Sequence, residues 1–314
     1  MILDGDMAQI AGLSASFLAP KSPRHLQFAY LQSSLVVEFI IVRHGIDTLR
    51  GLLRDLRGGI EINAALAKNV APLDTLEKEF AVYARESAEQ LAPKLNFEKP
   101  PAELMLATAN AIEVAAWEST HPDNYWLLMK RVRELSGKKN WAEARALLER
   151  LVSLFPTAKG ADSVYLLLAA LLKETGDKNA ERDVLTAWTA IDDEATDGYQ
   201  RLSELAIEDK DWPAAKRNAE RYLAVNPLVA PPWRSLAQVS AESGDTPGAI
   251  AAWRTLLQLG GADPAGGHFQ LAQLLRKNGE TAEARAQTLL ALEEAPRFRE
   301  ALTMLLQLSR EEAK

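Results

Sequence analysis

The sequence predicts an all-α protein: a compact helical N-terminal subdomain followed by an α-solenoid, a right-handed superhelix of helix hairpins. Three observations predict it. From about residue 124 onward a small Ala recurs at Ala144, Ala180, Ala215, Ala249 and Ala284, in steps of 36, 35, 34 and 35 residues. A period of that length signals stacked helix–turn–helix units. A Pro follows twelve residues after three of these Ala, at Pro156, Pro227 and Pro296, where a second helix would stop. Ala, Leu, Glu, Lys and Arg dominate the chain while Val and Ile are sparse, which favours helix over sheet.

The elements follow in order. Residues 1–95 do not share the period and predict a helical subdomain. Ser22-Pro23 starts a long buried helix that stops at Gly45. A short amphipathic helix then ends at Gly58-Gly59, and two more follow, IEINAALAKNV and PLDTLEKEFAVYARESAEQLAP, each with apolar residues three and four apart. Pro93, Pro100 and Pro101 close the subdomain. Residues 96–123 predict one linking or capping helix that ends at Pro122.

Residues 124–296 predict about five hairpins. In the fourth, Trp233, Leu236, Ala237 and Ser240 share one face of a first helix; Gly244-Asp245 breaks it, and Thr246-Pro247 starts a second helix with Ala249, Trp253 and Leu256 inward. Short side chains at Ala237 and Ala249 let the two helices approach, and the Trp residues fill the space beside them. Trp141 and Trp212 stand at second-helix starts. The same grammar recurs from Tyr199 to Pro227 and from His268 to Pro296. The second hairpin lacks the closing Pro, and the first is expected to have its turn shifted by about two residues, near Gly137. Residues 297–314 predict a helix that covers the last apolar face.

These residues resemble the tetratricopeptide repeat family over roughly residues 124–296. The resemblance implies a non-enzymatic protein-interaction scaffold that binds a peptide or a helix in the concave groove lined by the first helices. By register the groove residues are Trp126, Met129, Arg133, Tyr165, Gln200, Glu204, Arg234, Gln238, Phe269, Gln273 and Arg276. This mixture differs from the Lys/Asn/Arg set that clamps a C-terminal carboxylate in chaperone-binding members, so no chaperone partner is expected.

The stretch FAYLQSSLVVEFIIVRHGIDTLRGLLRDLRGG carries Ala29, Tyr30, Ser33, Ser34, Val36 and Val37, then Gly45, Leu52, Leu53 and Gly58, with Ala65 and Leu66 beyond. It resembles the back half of gluzincin-type (peptidase MA-like) metallopeptidase domains. That resemblance implies a zinc site on an HExxH helix and a downstream Glu, with Tyr30 in the position of a tyrosine that stabilises the developing oxyanion. The chain contains no HExxH, and its four His stand at 25, 44, 121 and 268. The alternative function is therefore the C-terminal part of a zinc peptidase with a repeat tail, inactive without the zinc-binding elements, with Tyr30 vestigial or complementing.

Composition narrows the rest. A net charge of −7 argues against a nucleic-acid partner, because phosphate binding wants a basic face. Zero Cys removes disulfides, Cys-based zinc sites and a Cys nucleophile. Leu35–Val42, an apolar run interrupted by Glu38, is too short to span a bilayer, so no membrane insertion is expected. The first residues carry no signal-peptide pattern. Glycine-rich phosphate loops and Gly-x-Ser-x-Gly contexts do not occur, and neither a cofactor nor a metal is expected.

Overall fold

The computed structural model describes residues 1–106, 108–160 and 163–312. Among them are eighteen α-helices and no strand. The chain divides into two compact units, Met1–Phe97 and Glu98–Lys314.

The first unit opens with a 3-10 turn, Ile10–Gly12, and α1, Leu13–Leu18. Helix α2, Pro23–His44, begins where Ser22 accepts a hydrogen bond from the His25 N–H and Pro23 pre-sets the first turn. It ends at Gly45, whose φ of 86° turns the chain directly into α3, Ile46–Arg57. Helices α4, Ile62–Asn69, and α5, Leu73–Leu91, complete the unit. Val36, Phe39 and Ile40 of α2 meet Leu52, Ala65, Leu66, Leu76, Phe80 and Ala84 in one core. Full burial of each large side chain there contributes roughly 1.5–3 kcal/mol. The apolar run is longer than Leu35–Val42. Helix α2 as a whole, 22 residues with a mean hydropathy of 1.3 in its most apolar window, is long and apolar enough to cross a membrane by length and composition.

The stretch 96–123, for which the sequence predicts one helix, contributes two to the second unit: α6, Ala102–Met105, and α7, Ala111–Thr120. The cause is Asn110, whose side chain caps the Ile112 N–H and starts a fresh helix. Five hairpins follow. They pair α8 (Tyr125–Gly137) with α9 (Trp141–Leu154), and α10 (Val164–Thr175) with α11 (Lys178–Ile191). Then come α12 (Thr196–Glu208) with α13 (Trp212–Val225), α14 (Ala230–Glu242) with α15 (Thr246–Gln258), and α16 (Pro264–Lys277) with α17 (Thr281–Glu294). Each helix packs on the next in sequence, and α12 also touches α14. The last helix, α18 (Arg299–Glu312), buries Ala301, Met304 and Leu308 against Leu271, Ala272 and Leu275.

The turns fix the repeat phase. Every hairpin carries one left-handed residue: Lys139, Gly176, Lys210, Gly244 and Gly279, with φ between 56° and 84°. Five residues after each stands the inward position of the second helix: Ala144, Glu181, Ala215, Ala249 and Ala284, all 0–1% exposed. The predicted series is therefore corrected at one member. Ala180 is only half-buried, and Glu181 takes the alanine slot. The first hairpin is not out of phase either, since its turn is at Lys139 rather than near Gly137. Asp177, Asp211 and Asp245 cap the second helices of their hairpins through the N–H of Ala180, Ala214 and Gly248.

Candidate functional site

Glu181 is the most unusual side chain of the array. It is 1% exposed, and Arg201 of α12 grips it with two hydrogen bonds, Nε to Oε1 at 2.7 Å and Nη2 to Oε2 at 3.1 Å. Arg201 Nη1 also donates to Glu204 at 3.1 Å, and these carboxylates raise the guanidinium pKa further. The pair ties the second hairpin to the third from a position that the four other hairpins fill with a buried alanine. Arg145 of α9 reaches Asp177 at 2.8 Å and, with the Ala180 N–H, holds that carboxyl below its usual range. Both interactions join successive hairpins.

The predicted groove residues divide by burial. Arg133, Arg234, Gln238 and Gln273 are exposed; Trp126, Gln200, Glu204 and Arg276 are partly so. Met129 and Tyr165, 6% exposed each, are corrections: they belong to the core. The Tyr165 hydroxyl turns back to donate to the Pro156 carbonyl at 2.9 Å, closing the loop ahead of α10, and burial raises its pKa. Met129 lies on α8, along which the segment before α7 runs: Asn124 Nδ2 donates to the Glu98 carbonyl at 2.7 Å and Lys130 Nζ to the Leu104 carbonyl at 2.8 Å.

Other side chains are engaged locally. Gln200 donates to Glu204 at 3.1 Å, and Arg234 to the Gly261 carbonyl at 2.7 Å. Trp233, predicted inside, is half-buried and donates its indole N–H to the Pro227 carbonyl at 2.9 Å.

Three predicted residues come together. Phe269, Gln273 and Arg276 of α16 line a recess of about 740 Å³ whose other wall is Arg299, Thr303, Met304 and Gln307 of α18. Phe269 is 8% exposed, tilted against Phe298 at 4.8 Å, so it forms part of the floor and not a projecting contact. Arg276 crosses between the helices to Gln307 at 2.7 Å and to Glu311. Lys277 and Glu300 complete the lip. The α18 wall is not foreseen from the sequence, because the repeat pattern gives that helix only a covering role. The signal was present in the spacing of Arg299, Thr303 and Gln307, four apart beside the buried Ala301, Met304 and Leu308.

In the first unit Tyr30 is 65% exposed, with its ring edge-on to Phe17 at 4.9 Å. Leu31, Val37, Ile41 and Val42 extend an exposed apolar stripe along α2. His25 bonds Ser22 at 2.7 Å and Asp6 at 3.2 Å, and His44 lies 4.0 Å from Glu79. Among the described residues no three His, Cys, Asp or Glu come together as metal ligands.

No protein-family model matches the chain, and no curated protein matches it. Among solved structures it is similar to YrrB, described as a TPR protein with an unusual peptide-binding site, at 15% identity over 62% of this chain and 97% of that one, TM-score 0.48. It is similar to MamA at 17% identity over 55% and 93% of the two chains, TM-score 0.46. It is also similar to a thermophilic TPR protein in Thermus thermophilus, at 22% identity over 58% and 96%, TM-score 0.34.

Proposed function

We propose that this protein is a non-enzymatic scaffold whose array holds a peptide or a helix of a partner protein along the side formed by the first helices. The observation that carries this reading is the recess between α16 and α18, an open hollow with an apolar floor and polar walls at the end of that side. Arg234 and Gln238 of α14, both exposed, continue the polar surface toward the middle of the array. A stack of hairpins keeps such a surface rigid, which lowers the entropic cost of holding an extended segment.

The test replaces Arg234, Gln238 and Gln273 together with Ala. The dissociation constant for a partner isolated with the wild-type array should rise at least tenfold by calorimetry. Arg217→Ala, on the exposed side of α13, should leave it unchanged. If the triple variant keeps every partner at wild-type affinity, this surface is not the binding groove.

A second reading rests on the exposed stripe of Tyr30, Leu31, Val37, Ile41 and Val42. Five exposed large apolar side chains on one helix, interrupted by Ser34 and Glu38, are the kind of surface that a partner covers. Under this reading residues 1–95 are one part of a zinc peptidase domain, and the stripe packs on the part that carries the metal. Among the described residues no zinc site assembles: His25 and His44 face Asp6, Ser22 and Glu79 on separate turns. Reading the coding DNA upstream of Met1 decides it. An in-frame HExxH with a following Glu supports the reading, and an in-frame stop codon immediately upstream refutes it.

A further inference from the structure

We propose that the recess between α16 and α18 binds an extended acidic peptide segment that places a carboxylate at each end and one apolar side chain on the floor between them. This deepens the scaffold reading and rests on it.

The charge distribution specifies the segment. The lining carries three cations, Arg276, Lys277 and Arg299, against one carboxylate, Glu300. This surplus stands out in a chain whose net charge is −7. Arg276 is already committed to Gln307 and Glu311. Lys277 and Arg299 are exposed, and among the described residues their side chains make no hydrogen bond or ion pair. They occupy opposite ends. Arg299 opens α18, whereas Lys277 closes α16, at the end where Arg276 meets Gln307 and Glu311. From Arg299 to Gln307 the helix rises about 12 Å, at 1.5 Å per residue. An extended chain covers that distance in about four residues. Phe269 and Met304 lie in the floor between the ends and offer one apolar seat.

The ligand grammar is therefore acidic–x–apolar–x–acidic, with the carboxylates on side chains. A single C-terminal carboxylate would satisfy only one end. A nucleic-acid strand carries a charge at every nucleotide, where the recess offers free cations only at its two ends, and it would find one buried ring, Phe269, to stack on.

The experiment uses the full chain and a labelled peptide, Gly-Ser-Asp-Ser-Leu-Ser-Asp-Ser-Gly amide, read by fluorescence anisotropy. Companion probes replace both Asp with Asn, replace Leu with Ser, or keep one acid only, as the free C-terminal carboxylate. The diacidic probe should bind, and each companion should bind at least tenfold more weakly. The double variant Lys277→Glu with Arg299→Glu should abolish diacidic binding while its thermal melt stays at wild type, because both side chains are exposed. Equal binding of the Asp and Asn probes, indifference to the double variant, tighter binding of a single-stranded oligonucleotide, or no binding of the diacidic probe would each overturn the proposal. Failure here is separable from failure of the scaffold reading. A partner lost on Arg234/Gln238/Gln273 substitution but retained by the double variant leaves the groove standing and removes the acidic seat.

Discussion

Replacing Ala249 with Trp should destabilise the array by about 3 kcal/mol or more, the upper range for overpacking a filled core. Ala249 is 0% exposed at the fourth position of α15, beside the buried Ala252, Leu256 and Ile250. An indole there needs room that only separation of the helices could provide. In a stack stabilised by contacts between neighbours, the loss spreads to the hairpins on either side. For a unit of this size the melting midpoint should fall by about 6–12 °C. Chemical denaturation should also show a broader transition as coupling weakens. Ala251→Trp, two residues away on the exposed side of the same helix, should change stability by about 0.5 kcal/mol at most. Matching melts for the two variants would show that the inward positions are misassigned.

Removing one member of the Glu181–Arg201 pair should cost nearly as much. Arg201→Met leaves a carboxylate buried without its partner, a loss of about 3–5 kcal/mol in comparable buried pairs. The second change, Glu181→Ala, should restore most of it. That residue type already fills the equivalent position in the four other hairpins, at Ala144, Ala215, Ala249 and Ala284. The double variant should lie within about 2 kcal/mol of the wild type, because a buried ion pair is often replaced by apolar packing at little net cost. A double variant no more stable than Arg201→Met alone would mean that Glu181 has packing duties the alanine slot does not share.

These two experiments probe what sequence periodicity did and did not reveal. Helices α2 to α5 were legible because their ends carry strong local chemistry: the Ser22 cap with Pro23, Gly45 in positive φ, and Gly58-Gly59. The hairpins were legible because an inward alanine and a turn recur together. The Glu181 slot was not, since Ala180 stands one residue away and preserves the appearance of the period. The turn residues would have revealed it. Yet two of the five are Lys139 and Lys210, and a lysine in the left-handed region carries no signal of its own. Asn110, which caps α7 and splits one expected helix into α6 and α7, carries a capping signal inside a stretch of helix-forming composition.

At the candidate site the local signal was weaker. Exposure of Gln238 and Gln273 followed from helical phase alone. Met129 and Tyr165 are buried at positions where helical phase predicts groove residues, and the Tyr165 hydroxyl bonds the Pro156 carbonyl of the preceding loop. The recess itself needs α18, a helix outside the period whose buried Ala301, Met304 and Leu308 place Arg299, Thr303 and Gln307 opposite α16.

The claim that the first helices form the binding surface is tested most directly by photo-crosslinking. A photoreactive residue is placed in turn at Gln238 and Gln273 on first helices, and at Arg217 and Ala286 on the exposed sides of second helices. With a partner bound, Gln238 and Gln273 should give crosslinks to one contiguous segment of it, while Arg217 and Ala286 give none. Crosslinks confined to Arg217 and Ala286 would place the partner on the opposite side and contradict the account.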